Sequence, residues 1–245
     1  MRKDKGFTLL EIMVAVGILG MVMTSLMVAF NSTVDSVDRI KQDSELMQTL
    51  RNVTDQFHRE LTQALINNNR QDKEQIYFEI KQLAPFQSAI RFGCNTEYGL
   101  IEVGYQVKPI YDKVPGSESG DLMPVWDEFE LMRMTKTTDL WNYNDYNVGK
   151  GREQMWPALD LNANYVEPFA FGIVGFRVRF WNIQANSWQI RDWDSLQLNA
   201  LPKKVKIELF ALTKKAALEN TGLKTIEEMK NVETFSTVIT LPQAK

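Results

Sequence analysis

The first part of the chain is a long apolar run. Residues 12–34 include no charged residue, and residues 12–30 are almost wholly apolar. A helix needs about this length to cross ~30 Å of hydrocarbon. A cleavable secretory signal has a shorter apolar region, roughly 7–15 residues, followed by a small-residue cleavage pattern that is absent here. We therefore predict a transmembrane helix over residues 7–33.

The next part has the period of an amphipathic helix. Apolar residues recur at spacings of three and four, with one gap of seven, at Val34, Val37, Ile40, Met47, Leu50, Val53, Phe57, Leu61 and Leu65. This spacing predicts that the same helix continues over residues 34–66 with one apolar face. The charged residues between them, including Glu60 and the neighbouring His58, are assigned to the solvated face. We expect the helix to stop at residues 67–69, three asparagines, because Asn tolerates the left-handed conformation at helix ends.

Beyond residue 70 the apolar period changes from 3.6 to 2, which is typical of half-buried antiparallel strands. The clearest strands are predicted at 101–107, 176–180 and 205–211, and weaker ones at 75–80, 89–92, 130–135, 188–191 and 235–241. Residues 214–231 are expected to form a short helix or a mobile excursion. The predicted fold class is α+β: a long N-terminal helix packed on one antiparallel β-rich domain, residues 67–245.

The charged residues predict the orientation of the chain in the membrane and argue against a nucleic-acid partner. The net charge is −3, and no basic run is present, which argues against nucleic-acid binding. Arg2, Lys3 and Lys5 flank the amino-terminal side of the apolar run. The positive-inside rule then places the amino terminus in the cytoplasm and the globular part across the membrane.

Candidate catalytic chemistry is sparse. Cys94 is the only cysteine, so an internal disulfide is excluded, and we interpret it as a small buried hydrophobe. His58 is the only histidine, which excludes a His-rich zinc site. The acidic residues of one loop-rich stretch do not follow the EF-hand spacing: Asp121, Asp127, Glu128, Asp139 and Asp145. We therefore expect no metal, no cofactor and no enzymatic activity.

The six tryptophans allow two interpretations. They are Trp126, Trp141, Trp156, Trp181, Trp188 and Trp193. Core or edge packing is the simpler one. A ligand platform or a subunit interface, where Trp is enriched, is the alternative.

Glu11 is the unusual residue of the apolar helix. A charge at the centre of a spanning helix costs at least ~2.5–3.5 kcal/mol, and less near the interface. Glu11 either reaches the headgroup level or finds an opposite charge inside the membrane. Its sequence context is a short basic leader, residues 1–6, which ends at Gly6 and is followed by Phe7-Thr8-Leu9-Leu10-Glu11.

This context resembles the prepilin leader of type IV pilins and type II secretion pseudopilins. The resemblance implies that a prepilin peptidase cleaves after Gly6 and that the new amino terminus of Phe7 is N-methylated. It also implies that Glu11 pairs with the amino terminus of a neighbouring subunit during filament assembly. Such a partner would satisfy the carboxylate in a low-dielectric environment.

The carboxyl-terminal half resembles the J-type minor pseudopilins of type II secretion. The resemblance is carried by Phe176-Arg177-Val178-Arg179-Phe180-Trp181, by Ser187-Trp188 and Asp192-Trp193, and by the strand that begins at Leu201-Pro202-Lys203-Lys204-Val205. It implies a non-catalytic subunit of the bacterial inner membrane, with a periplasmic globular domain. The expected partners are the I-type and K-type minor pseudopilins and the major pseudopilin, in a tip complex that starts pseudopilus assembly and supports export across the outer membrane. The alternatives are a W-type minor pilin of a type IV pilus, a pilus-tip binding or adhesion module, and a membrane-anchored enzyme.

Overall fold

The computed structural model describes residues 8–66, 76–97, 99–108, 111–113, 122–124, 130–137, 165–198, 200–220, 226 and 228–242. The predicted helix stop at residues 67–69 lies outside these residues. The chain divides into two compact units, Met1–Glu45 and Leu46–Lys245, and the boundary falls within the first helix.

Helix α1 (Leu9–Leu61) is continuous, as the sequence predicts, but it ends at Leu61 rather than at residue 66. The hydroxyl of Thr62 donates to the His58 carbonyl at 2.6 Å and so satisfies a terminal acceptor of the helix. After this turn, strand β1 (Ala64–Leu65) pairs with a later strand. Leu65, the last residue of the predicted apolar stripe, therefore lies in a strand rather than in the helix. Helical periodicity cannot show this change.

In the first unit, the apolar side chains of α1 are exposed. These include Leu9, Met21 and Phe30, which are 79%, 74% and 67% exposed. In the second unit, α1 has one buried face, formed by Leu46, Leu50, Val53, Phe57 and Leu61. The predicted amphipathic stripe is thus buried only from Leu46 onward, and Val34, Val37 and Ile40 remain exposed.

The second unit contains a sheet with a long central path. Its strands are β2 (Phe78–Ala84), β3 (Gln87–Thr96), β4 (Gly99–Lys108), β7 (Glu130–Thr137), β8 (Val166–Phe171), β9 (Ile173–Asn182), β10 (Ser187–Gln189), β11 (Trp193–Asp194), β12 (Lys204–Ala211) and β13 (Glu233–Thr240). The path runs β13-β12-β9-β3-β4-β7-β8, with β1 and β2 paired to β3, β10 paired to β9 and β11 paired to β2. A separate hairpin joins β5 (Tyr111–Lys113) and β6 (Leu122–Pro124). All eight predicted strands are present, and the predicted α+β class is confirmed.

The sheet is mixed rather than antiparallel throughout, which corrects the prediction. Strands β3 and β9 run parallel and share a single bridge, Gln87 with Phe176. Side chains complete this junction, which we call the seam. Ser88 accepts a hydrogen bond from the Val178 amide at 3.0 Å, and Gln82 donates to the Val178 carbonyl at 2.9 Å. Ser88 also donates to Gln82 at 2.8 Å, so the two side chains replace a backbone ladder at this point.

Both faces of the sheet are covered over much of their area, which the half-buried pattern did not predict. On the first face, α1 packs against the alternating apolar residues of β3, β4, β9 and β12. Phe57 lies over both sides of the seam, with its ring 4.5 Å from that of Tyr105 on β4 and 5.6 Å from that of Phe176 on β9. On the second face, Glu102, Gln106 and Glu208 are buried although the strand alternation placed them outside.

The predicted excursion over residues 214–231 contains helix α3 (Lys214–Glu219), which follows the four-residue helix α2 (Ser195–Leu198). It builds a second core with Phe210 and Val174 on the second face. Asn220 fixes the excursion, because its side chain bonds both the amide and the carbonyl of Lys230, at 2.8 and 3.0 Å. A Cβ at Gly175 would overlap Ile226 Cδ1 and lie 3.2 Å from the Phe86 carbonyl oxygen, so a larger residue here would force its neighbours to shift.

Candidate functional site at the amino-terminal helix

The amino terminus of α1 is closed by a reciprocal pair of hydrogen bonds. The Glu11 amide donates to the Thr8 hydroxyl at 3.3 Å, and the Thr8 amide donates to Glu11 Oε2 at 3.4 Å. This is the capping-box arrangement, in which two otherwise unpaired amides of the first turn gain partners. The site therefore positions the Glu11 carboxylate at the first turn, where the helix dipole also favours a negative charge.

Both contacts of the capping box are long. Hydrogen bonds from N–H to oxygen cluster near 2.9–3.0 Å, so bonds of 3.3–3.4 Å are weak. The carboxylate is exposed, and Oε1 accepts no hydrogen bond from a described residue. Glu11 thus keeps acceptor capacity for a cation in addition to its contact with Thr8.

The helix that carries this carboxylate has the length and composition of a membrane span. Among the residues that the structure describes, α1 is the one helix that meets this test, and none of its most apolar window is buried. A Cβ at Gly17 or Gly20 would meet no atom within 4 Å. An uncovered apolar surface of this size requires lipid or other apolar helices around it.

The remaining predicted processing residues, Gly6 and Phe7, lie outside the described residues, as do the acidic loop residues Asp121, Asp127, Glu128, Asp139 and Asp145. Among the described positions, no group of three or more His, Cys, Asp or Glu side chains could hold a metal ion.

A second polar cluster, the helix clamp, fixes α1 to the sheet and was not predicted. It consists of Glu60 on α1, Tyr105 on β4 and Arg133 on β7. Arg133 Nη2 donates to Glu60 Oε1 at 2.5 Å, and the Tyr105 hydroxyl donates to Glu60 Oε2 at 2.5 Å. Glu60 is only 5% exposed, so its assignment to the solvated face is wrong.

The clamp lies in a low-dielectric part of the core. Burial, followed by the charge of Glu60, raises the pKa of Tyr105 well above its ordinary value. The same two causes raise the pKa of the Cys94 thiol to about 12. Cys94 is fully buried, and with this pKa it is an inert core residue rather than a nucleophile.

The sequence did contain a signal for the clamp. Glu60 lies three residues after Phe57 and next to Leu61, so helical spacing places it on the apolar stripe rather than opposite it. A charge on a buried stripe predicts a buried counter-charge, but its partner on a distant strand cannot be identified by spacing alone.

Other predicted residues occupy packing positions. His58 is half-buried, and its ring nitrogen Nε2 lies 3.1 Å from the Thr237 hydroxyl on β13, so it faces the sheet edge rather than open solvent. Trp181 and Trp188 form an edge-to-face pair with ring centres 5.2 Å apart, and Trp193 packs on Phe180. Trp126, Trp141 and Trp156 lie outside the described residues.

Comparison with known proteins bears on the amino-terminal region. Residues 1–27 match the prokaryotic N-terminal methylation motif. No curated protein and no solved structure matches the chain. The motif indicates a type IV pilin-like protein, either a pilin or a pseudopilin. Together with the single apolar helix, it fits a membrane-anchored protein.

Proposed function

We propose that this type IV pilin-like chain is a minor pseudopilin of type II secretion, of the J type, that helps start pseudopilus assembly and supports export across the outer membrane. The observation that carries the proposal is the methylation motif at the head of an uncovered apolar helix, followed by a folded sheet domain. The J-type assignment is supported by the aromatic and Leu-Pro patterns of residues 176–209. The proposed role is mechanical and non-catalytic.

The proposed first step is maturation in the bacterial inner membrane. The basic flank holds the amino terminus in the cytoplasm, where a prepilin peptidase hydrolyses the bond between Gly6 and Phe7. Cleavage frees the amine of Phe7, which is then N-methylated and stays cationic. Thr8 becomes the second residue of the mature chain, directly beside this new charge.

The proposed second step is assembly through Glu11. Before assembly, the Glu11 carboxylate accepts a long hydrogen bond from the Thr8 amide in the capping box. In a filament, the ammonium of a neighbouring subunit pairs with it inside an apolar bundle. The capping-box bonds are long and weak, whereas the ammonium brings a full opposite charge to the carboxylate in a low-dielectric bundle, so this exchange favours assembly. The exposed apolar face of residues 9–30 supplies the bundle surface.

Replacement of Gly6 tests maturation. Gly6→Val places a branched side chain at the cleavage bond and should leave the leader attached, as detected by mass spectrometry of the amino-terminal peptide. Lys3→Gln is the matched leader control and should be cleaved normally. Normal cleavage of the Gly6→Val chain would refute the leader assignment.

Replacement of Glu11 tests assembly. Glu11→Gln should insert into the membrane as well as the unaltered chain but should impair filament assembly and secretion. Asp38→Asn, an exposed carboxylate further along α1, is the control. Full secretion by the Glu11→Gln chain would contradict the pairing role.

Partner identity separates the two kinds of filament. Affinity purification of the full chain from solubilised inner membranes should recover I-type and K-type minor pseudopilins together with the major pseudopilin. Recovery of type IV pilus minor pilins instead would establish the W-type alternative and overturn the type II assignment.

A further inference from the structure

The two terminal strands of the sheet's central path differ in how they resist strand addition. Strand β8 carries Pro168, and its pairing with β7 is shifted at Leu131 and Met132. Proline and bulges are two devices by which proteins block an edge strand. Strand β13 has neither: it contains no proline or lysine, and its eight pairs with β12 are free of any register shift.

The ladder shows which groups of β13 point away from the sheet. The Leu241 amide donates to the Lys203 carbonyl at 3.1 Å, so this pair is of the hydrogen-bonded kind. Hydrogen-bonded and non-bonded pairs alternate in an antiparallel ladder. Phe235, Thr237 and Ile239 therefore bond β12, and the backbone groups of the residues between them point outward: Thr234, Ser236, Val238 and Thr240. Among the described residues, β12 is the only strand paired with β13.

The side chains of these outward residues share a face with a basic row on β12. Lys204 lies opposite Thr240, and Lys206 lies opposite Val238. Lys206 shares the Glu208 carboxylate with Arg177 and Arg179, at 2.5–3.0 Å, so three cations surround one anion. Lys204 is exposed and forms no ion pair with a carboxylate in the described part of the chain. The row thus carries excess positive charge in a chain of net charge −3.

The opposite face of β13 carries Phe235, which is half-buried against the main core, and Ile239, which is fully buried. Thr237 lies between them and contacts His58. A strand added to β13 would therefore meet the partly exposed ring of Phe235 on one face and lysines on the other. It would lie about 9–10 Å from β12, two strand spacings, which a lysine and a glutamate bridge together.

We propose that the outer edge of β13 receives an extended segment of a partner protein in which acidic and apolar residues alternate. The acidic side chains face Lys204 and Lys206, and the apolar ones pack beside the half-buried Phe235. Main-chain hydrogen bonds supply the affinity, as in other cases of strand addition. A second copy of β13 does not fit, because it offers only Thr, Ser and Val on the lysine face. This surface does not depend on which filament the chain joins.

The test uses the full chain in detergent micelles and a fluorescein-labelled, acetylated octapeptide of alternating Glu and Val. Fluorescence anisotropy measures its dissociation constant, and hydrogen exchange measures protection of the amides of Ser236 and Val238. Val238→Pro removes an outward amide and no bond to β12, whereas Val238→Thr retains it. We expect the proline variant to weaken binding at least tenfold and the threonine variant less than twofold.

Charge is tested separately with Lys204→Glu and a Lys-Val octapeptide. We expect Lys204→Glu to weaken binding of the Glu-Val peptide by about two- to fivefold, the upper range for an exposed ion pair, and to strengthen binding of the Lys-Val peptide. Equal binding by the Val238→Pro and Val238→Thr variants would overturn the proposal. So would equal affinity of the unaltered chain for both peptides, or concentration-dependent protection of Ser236 and Val238 without peptide, which would identify a second copy as the occupant.

Discussion

The helix clamp gives a prediction whose magnitude follows from the structure. Glu60 is 5% exposed and accepts from Arg133, Tyr105 and also Gln56, the last at 2.6 Å. Arg133→Met removes the only cation among these donors and leaves a buried carboxylate without a counter-charge. Loss of one partner of a buried pair costs about 3–5 kcal/mol. We expect the free energy of unfolding to fall by this amount.

Replacement of the other partner, Glu60, should lower the free energy of unfolding by less. In Glu60→Leu, the guanidinium of Arg133 is 17% exposed and lies 3.8 Å from the exposed carboxylate of Glu167, so it keeps a partner and some contact with water. We expect a cost of about 2 kcal/mol for Glu60→Leu, in the range for a lost hydrogen bond to a charged group. The double variant with Arg133→Met should be more stable than the sum of the single costs predicts, because it buries no unpaired charge.

Urea unfolding of the full chain in non-denaturing micelles, followed by tryptophan fluorescence, measures these differences, since all six tryptophans lie in the second unit. Arg51→Met is the matched control, because Arg51 is an exposed residue of the same helix and its loss should cost under about 0.5 kcal/mol. An Arg133→Met cost as small as that of Arg51→Met, or strict additivity of the double variant, would refute the clamp.

Two further predictions concern the core. Gly175→Ala should lower the free energy of unfolding by about 1–3 kcal/mol in urea titrations, the cost of overpacking, because its methyl group overlaps Ile226 and lies 3.1 Å from Phe210. The raised pKa of Cys94 means that the unfolded chain releases this proton first, so its stabilisation is present below pH 9 and is lost as the pH rises toward 12. Between pH 9 and about pH 11, Cys94→Ala should therefore lose about 2 kcal/mol less stability than the unaltered chain in urea titrations, and identical pH profiles would contradict the assigned environment.

The sequence predicted secondary structure best where one hydrophobic period persists along a segment. The apolar run of α1 and the alternating residues of β9 and β12 predicted their elements directly, because each residue's environment is set by its own neighbours in the chain. The cleavage after Gly6 and the pairing role of Glu11 stay predictions, which rest on the leader and on a carboxylate in an apolar helix. The structure adds the Thr8 hydroxyl as a partner of Glu11, and the Thr8-x-x-Glu11 spacing alone could have indicated this contact.

The remaining features depend on residues that are distant in the chain. The alternation of β4 predicted Glu102 to be solvated, but Arg91 and Tyr77 cover it on the second face. The parallel contact of β3 with β9 joins residues nearly ninety positions apart. Neither arrangement leaves a periodic signal, because each rests on hydrogen bonds between single side chains rather than on a repeated apolar position.

The seam has a mechanical consequence for the second unit. On one side lie β13, β12 and β9, and on the other lie β3, β4, β7 and β8. One backbone bridge and the Ser88–Gln82–Val178 bonds hold these halves together, whereas continuous ladders hold the strands within each half. Phe57 on α1 contacts both halves, so the helix adds packing contacts across the seam, where the sheet has the fewest backbone pairs. A force that lifts this helix would therefore remove its contacts across the seam and leave the bridge and the side-chain bonds to resist shear between the two halves.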